Sequence, residues 1–182
     1  MIKKFAAVST LVLTLCMTTC SSSASVAEVY GPPSQVKIVK VESTNLIENI
    51  KTNANSQKMR SVLKQLKKYS GKTPYVFSGS SPKWGWDCSG LVLWTYEQFG
   101  ITLKHSATKQ AHSGKRVSYK NAKPGDIVTF SWGSDYWFYH AAIYLGNGMI
   151  IDANNGYGTT VIQPLTNFKG NKIKFTRIVE TN

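Results

Sequence analysis

Cys88 lies in the run Trp86-Asp87-Cys88-Ser89-Gly90-Leu91-Val92, where a polar turn passes directly into an apolar, helix-like stretch. An unperturbed thiol, with a pKa of about 8.5, is a weak nucleophile at neutral pH. At the first turn of a helix it faces unpaired backbone N–H groups carrying roughly half a positive charge, which favours the thiolate. Further along, His140 opens the strand-like run His140-Ala141-Ala142-Ile143-Tyr144-Leu145-Gly146. An imidazole there can take the thiol proton and later hand it to a departing amine. It needs a partner on its other nitrogen, and Asp152 follows across the Gly146-Asn147-Gly148 turn, where an antiparallel pairing brings the two together. Thiol, imidazole and carboxylate in this order are the apparatus of a cysteine hydrolase.

The surrounding pattern predicts what positions them. Asp87 is placed to cap a helix over Ser89 to Phe99 that stops at Gly100. Upstream, Met59, Val62, Leu63, Leu66 and Tyr69 fall at helical spacing from Ser56 onward, with Gly71 as the stop, and a short helix fits Ala107 to His112. After Pro124-Gly125-Asp126 the period changes to strands: Ile127 to Phe130, Ala141 to Leu145, Met149 to Ala153, Thr159 to Leu165 and Ile173 to Val179. Helices followed by a meander predict an α+β domain over residues 55–182, with N-terminal helices packed on a central antiparallel sheet of about five strands. Residues 28–54 read as a leader or linker, with a short strand at Val36 to Val41 and a helical turn at Asn45 to Ile50.

The first 27 residues have the features of a secretory signal: basic Lys3-Lys4, an apolar run from Phe5 to Met17, and small residues at Ser25-Val26-Ala27. The run is too short to span a bilayer, so a membrane enters only through lipidation of Cys20, where Met17-Thr18-Thr19-Cys20 loosely resembles a lipobox. Cleavage after Ala27 leaves Cys88 as the lone cysteine of an exported chain, which rules out an internal disulfide and leaves catalysis as its use. The formal charge of +13 comes without a finger, a helix-turn-helix or an Arg-rich reading motif. It predicts attraction to anionic surfaces rather than nucleic-acid recognition. His105 and His112 lack ligand spacing and read as surface residues, so neither a metal nor another cofactor is expected.

Six ordered fragments resemble the NlpC/P60 cysteine peptidases: Pro74-Tyr75-Val76-Phe77, Asp87 to Val92, Gly100-Ile101-Thr102-Leu103, Ser106 to Gln110, Lys123 to Val128, and His140 to Asp152. Together they cover about residues 56–180. The resemblance implies a papain-like fold and cleavage of peptidoglycan stem peptides, at the bond joining D-glutamate to the diamino acid. It implies Cys88 as nucleophile, His140 as general base and Asp152 in a third polar position that is most often His in the family. Tyr75 would assist the oxyanion, and Asp87 and Ser89 would grip the free amino end of the stem. Two departures stand out: Ser78-Gly79 where two glycines are common, and Leu103-Lys104-His105 where Leu-Pro-Arg is frequent. The expected location is secreted or extracytoplasmic, with anionic wall polymers as further partners. Two other readings remain at this stage: a cysteine amidase or acyltransferase acting on another acylated amine, and a non-catalytic wall-binding protein.

Overall fold

The computed structural model describes residues 43–182. The expected signal, with Cys16 and Cys20, and the strand expected at Val36 to Val41 lie outside the described residues. Helix α1 runs from Ser43 to Lys67 and buries Met59, Val62, Leu63 and Leu66, the stripe legible in the sequence. It begins well before Ser56 and absorbs the helical turn expected at Asn45 to Ile50. Its first half carries no continuous buried stripe, so hydrophobic spacing gives no signal there.

A two-stranded ribbon follows, β1 (Ser80–Ser81) against β2 (Gly85–Trp86), and then α2 (Cys88–Glu97) and α3 (Ala107–Ala111). Six strands complete the domain: β3 (Lys115–Val117), β4 (Ile127–Ser131), β5 (His140–Gly146), β6 (Met149–Asn154), β7 (Thr159–Pro164) and β8 (Lys172–Arg177). They form one antiparallel sheet in the order β3-β8-β4-β5-β6-β7. The α+β expectation holds, with six strands in place of about five. The additional strand is β3, three residues with two of them charged, paired at the sheet edge with β8. No period can be read from so short a run.

Strand alternation divides the sheet into two faces. Ile127, Ala141, Ile143, Ile151 and Ala153 pack with Leu91, Val92, Leu63 and Leu66 of the helices. Val128, Phe130, Ala142, Tyr144, Ile150 and Phe175 form a second cluster on the other face. The β5–β6 hairpin turns through Asn147 (φ 52°) and Gly148 (φ 71°), the two positive φ values that a tight hairpin requires. Its register pairs Ile143 with Ile151, which sets His140 and Asp152 diagonally on one face at the end away from the turn. The start of β4 is locked to β8 by a buried fork: Arg177 donates from Nε to Asp126 Oδ1 at 2.9 Å and from Nη2 to Oδ2 at 2.8 Å.

Candidate active site

Cys88 is the first residue of α2, and the chain enters that helix through one of the best-packed side chains in the domain. Trp86 is fully buried, with its ring edge-on to Tyr69 and tilted against Trp94, and its Nε1 donates to Thr160 Oγ1 at 2.7 Å. Asp87 then caps the helix by accepting from the Gly90 N–H at 2.7 Å. The N–H groups of Cys88 and Ser89, at the first two helical positions, have no acceptor among the described residues. Two donors therefore remain free beside the thiol, where negative charge gathers on a reacting carbonyl.

His140 is brought to the thiol by the first position of β5. Its Nε2 donates to Asp152 Oδ2 at 2.9 Å, which leaves Nδ1 for the hydrogen bond with Cys88. Burial acts most strongly on this imidazole and pulls its pKa down. The hydrogen bonds to Asp152 and Cys88, and the negative charge on both, outweigh burial and raise it from 6.5 to about 9. At neutral pH the ring therefore holds a proton ready for donation. Phe168 stacks on it, with centroids 5.5 Å apart and planes 14° from parallel, while Phe130 packs at 5.7 Å, so the ring plane is set by packing as well as by hydrogen bonding.

Asp152 is fully buried and its carboxylate is supplied with donors: Gln163 Nε2 to Oδ1 at 2.8 Å, and Asn154 Nδ2 to Oδ2 at 3.1 Å beside the His140 bond. Asn167 in turn donates to Gln163 Oε1 at 2.9 Å. A buried carboxylate is stable only when its oxygens are satisfied in this way. Gln163, Asn154 and Asn167 carry no motif of their own. The only trace of Gln163 in the sequence is a polar residue inside a strand-like run.

The residues singled out in the sequence thus fall together in space: Cys88, His140 and Asp152 in contact, with Tyr75 and Asp87 beside the thiol. The Tyr75 phenol has its pKa raised, first by burial and then by the charges of Cys88 and Asp87, which keeps it a hydrogen-bond donor. A family model for NlpC/P60 matches residues 71–177. The chain belongs to the NlpC/P60 family. It is 38% identical over 130 residues to the bifunctional muramidase/DL-endopeptidase CwlT of Bacillus subtilis, covering 69% of this chain and 39% of that protein. It is 44% identical over 101 residues to a gamma-DL-glutamyl hydrolase of the same species, covering 55% of this chain and 24% of that one. The chain therefore matches well under half the length of either relative. Among solved structures, the peptidoglycan hydrolase RipB of Mycobacterium tuberculosis superposes with a TM-score of 0.60 at 27% identity, over 69% of this chain and 67% of that one.

The two departures from the usual NlpC/P60 pattern both touch Asp87. Ser78 has φ 58°, a left-handed conformation that suits the glycine common at this position, and its N–H donates to Asp87 Oδ2 at 3.0 Å. His105 lies at the surface as expected, and its Nε2 donates to Asp87 Oδ1 at 2.8 Å. Ser89 Oγ donates to the same oxygen at 2.9 Å. Asp87 thus accepts from Ser78, Ser89, Gly90 and His105, three of them on Oδ1, so an incoming ligand has access chiefly to Oδ2. Gln110 of α3, fully buried, braces this corner by donating to the Ser89 carbonyl at 2.8 Å and the Lys104 carbonyl at 3.1 Å. The packing also explains Gly90, where a Cβ would lie 2.0 Å from the Gly79 carbonyl oxygen.

Proposed function

We propose that this chain is an exported cysteine endopeptidase that hydrolyses peptidoglycan stem peptides at the bond between D-glutamate and the diamino acid. The observation that carries the reading is the contact of Cys88, at the mouth of α2, with a His140 held on its far side by buried Asp152. The names of the relatives, a DL-endopeptidase and a gamma-DL-glutamyl hydrolase, support the choice of bond. The formal charge, +13 for the full sequence and still strongly positive without Lys3 and Lys4, favours a mature protein held near anionic wall polymers.

In the reaction, Cys88 Sγ attacks the carbonyl carbon of the γ-glutamyl amide, having given its proton to His140. Charge builds on the carbonyl oxygen and is met by the N–H groups of the first turn and by the Tyr75 hydroxyl. His140 then protonates the amide nitrogen, the C–N bond breaks, and the diamino acid leaves as an amine. A water molecule gives a proton to His140 and adds to the thioester carbon. Collapse returns the proton to sulfur and releases the D-glutamyl carboxylate. Asp87 Oδ2, with Ser89 beside it, is the position for a free amino end of the stem.

The test is to incubate the protein and its Cys88→Ala variant with defined muropeptides and identify products by mass spectrometry. Cleavage between the second and third stem residues by wild type alone, blocked by iodoacetamide and indifferent to EDTA, is the expected result. Intact muropeptides together with a rapidly alkylated thiol would direct the site to another acylated amine. Intact muropeptides with an inert thiol would favour a wall-binding protein.

A further inference from the structure

A row of aromatic rings leads outward from the catalytic histidine. His140 lies opposite Phe130 across the β4–β5 pair, and strand alternation puts Trp132, two residues past Phe130, on the same face. The row runs from the imidazole to Tyr139, with centroids 6.3 Å apart, and from Tyr139 to Trp132, stacked at 4.3 Å with planes 15° from parallel. Trp137 leans against both, 5.8 Å from Trp132 and 6.3 Å from Tyr139. Tyr139 is half-buried, yet Trp132 is 74% exposed and Trp137 51% exposed. Tyr139 covers one face of Trp132, so that exposure belongs to the outer face. Neighbouring exposed tryptophans mark a binding surface rather than a core.

The loop that carries them is fixed in place. Ser134 Oγ accepts from the Tyr136 N–H at 3.1 Å and from the Trp137 N–H at 2.9 Å. Thr108 of α3 clamps Phe138: its hydroxyl donates to the carbonyl at 3.0 Å and accepts from the N–H at 2.9 Å. Asp135 pairs with Lys172 at 2.7 Å. The rings are therefore set before a ligand arrives, which keeps the ordering cost of binding low. Among the described residues the cation–ring pairs are Lys58 on Phe99, Lys83 on Trp84 and Lys174 on Phe138, so no cation of the protein occupies Trp132 or Trp137.

The chemistry of the thiol says which part of a substrate reaches these rings. His140 protonates the departing nitrogen, so that nitrogen lies within about 3 Å of the imidazole and the leaving half of the substrate begins there. The steps of 6.3 and 4.3 Å to Trp132 fall within the span of about three extended residues. The side chain of the leaving diamino acid branches from the carbon bonded to that nitrogen. It is a methylene chain that ends in an amine, charged when the stem is not cross-linked. Methylenes pack flat on an indole, and an ammonium over its face gains cation–π attraction. A carboxylate would meet the negative face of the ring instead. We propose, resting on the endopeptidase reading, that Trp132 and Trp137, backed by Tyr139, form the subsite for the leaving diamino acid and select stems whose side-chain amine is free and charged.

The experiment uses tetrapeptide stems in matched pairs that differ only in the side-chain amine of the third residue: lysine against norleucine, and diaminopimelate against 2-aminopimelate. Within the pair it cleaves, wild type should favour the amine-bearing stem in kcat/KM by between about twofold and about thirtyfold, the range of a cation–π contact. Replacing Trp132 and Trp137 together by Leu keeps apolar bulk and removes the ring faces, and this variant should cleave both members alike. Circular dichroism verifies that the double variant is folded. Titrating the amine-bearing stems into Cys88→Ala should also move the indole N–H resonances of Trp132 and Trp137 in NMR spectra. The proposal is overturned by a wild type without the preference, by a preference that survives in the double variant, or by indole resonances that stay fixed throughout the titration. Failure of the endopeptidase reading looks different, because wild type then leaves every stem intact. Shifted indoles in that case uphold the subsite without that bond, and fixed indoles overturn both.

Discussion

Replacing Asp152 by Asn tests the electrostatics of the site most directly, because it keeps the shape of the side chain and removes its charge. In wild type the His140 pKa is raised from 6.5 to about 9 against the pull of burial. A rise of about 2.5 pH units at 1.36 kcal/mol each makes the protonated ring worth roughly 3 kcal/mol to the folded state. Without the carboxylate, burial is opposed only by Cys88, and the imidazole pKa falls by more than about one unit. The sign of the linkage follows. A group whose pKa is raised on folding contributes its stability in full below the unfolded value and loses it as pH rises through the folded one. Wild type should therefore exceed Asp152→Asn by roughly 2–3 kcal/mol in urea unfolding near pH 6, with the gap closing as pH rises from about 6.5 to about 9. NMR titration of His140 in both proteins reads the same quantity without unfolding. An equal gap at about pH 6 and pH 10, with an unmoved His140 titration, would refute the assignment of that raised pKa to Asp152.

Other substitutions probe the supports. Gln163→Leu removes the donor to Asp152 Oδ1; it should destabilise by about 1–3 kcal/mol in urea unfolding, the penalty for stranding a buried acceptor. Asp126→Ala leaves the buried Arg177 guanidinium with only the Asn121 carbonyl and the more distant, exposed Glu180, and thermal or urea unfolding should register a loss of about 3 kcal/mol. Ser78→Gly relieves a left-handed backbone at φ 58° while keeping the N–H that binds Asp87. It should raise stability by up to about 1 kcal/mol, since relief of the conformation exceeds the entropy that glycine adds to the unfolded chain.

What the sequence revealed and what it withheld divide along physical lines. The helix cap at Asp87, the stripe on α1 and the Asn147-Gly148 hairpin are local patterns of capping, period and turn chemistry, and the structure contains all three. The pairing of His140 with Asp152 was legible because a tight turn between two strands converts sequence spacing into distance. His105 lies at the surface as read, but its bond to Asp87 was not legible, because it depends on how the segment before α3 folds back over α2, a tertiary contact no period encodes. Gln163 and Asn167 escaped for the same reason, since their roles exist only once β7 lies beside β6. Strand β3 is held by its partner β8 rather than by its own composition.

The amide shell around Asp152 also bears on how this position can change in evolution. Gln163 and Asn154 both direct N–H groups at it, a setting suited to an acceptor with two oxygens. A histidine there, the commoner residue in the family by resemblance, offers one accepting nitrogen and would face an excess of donors. Exchange between acid and imidazole at residue 152 is therefore epistatic with residues 154 and 163, and neither single step is neutral on its own. Aligned relatives should show these three positions varying together, with the Gln and Asn amides present where the acid is and absent where histidine takes its place.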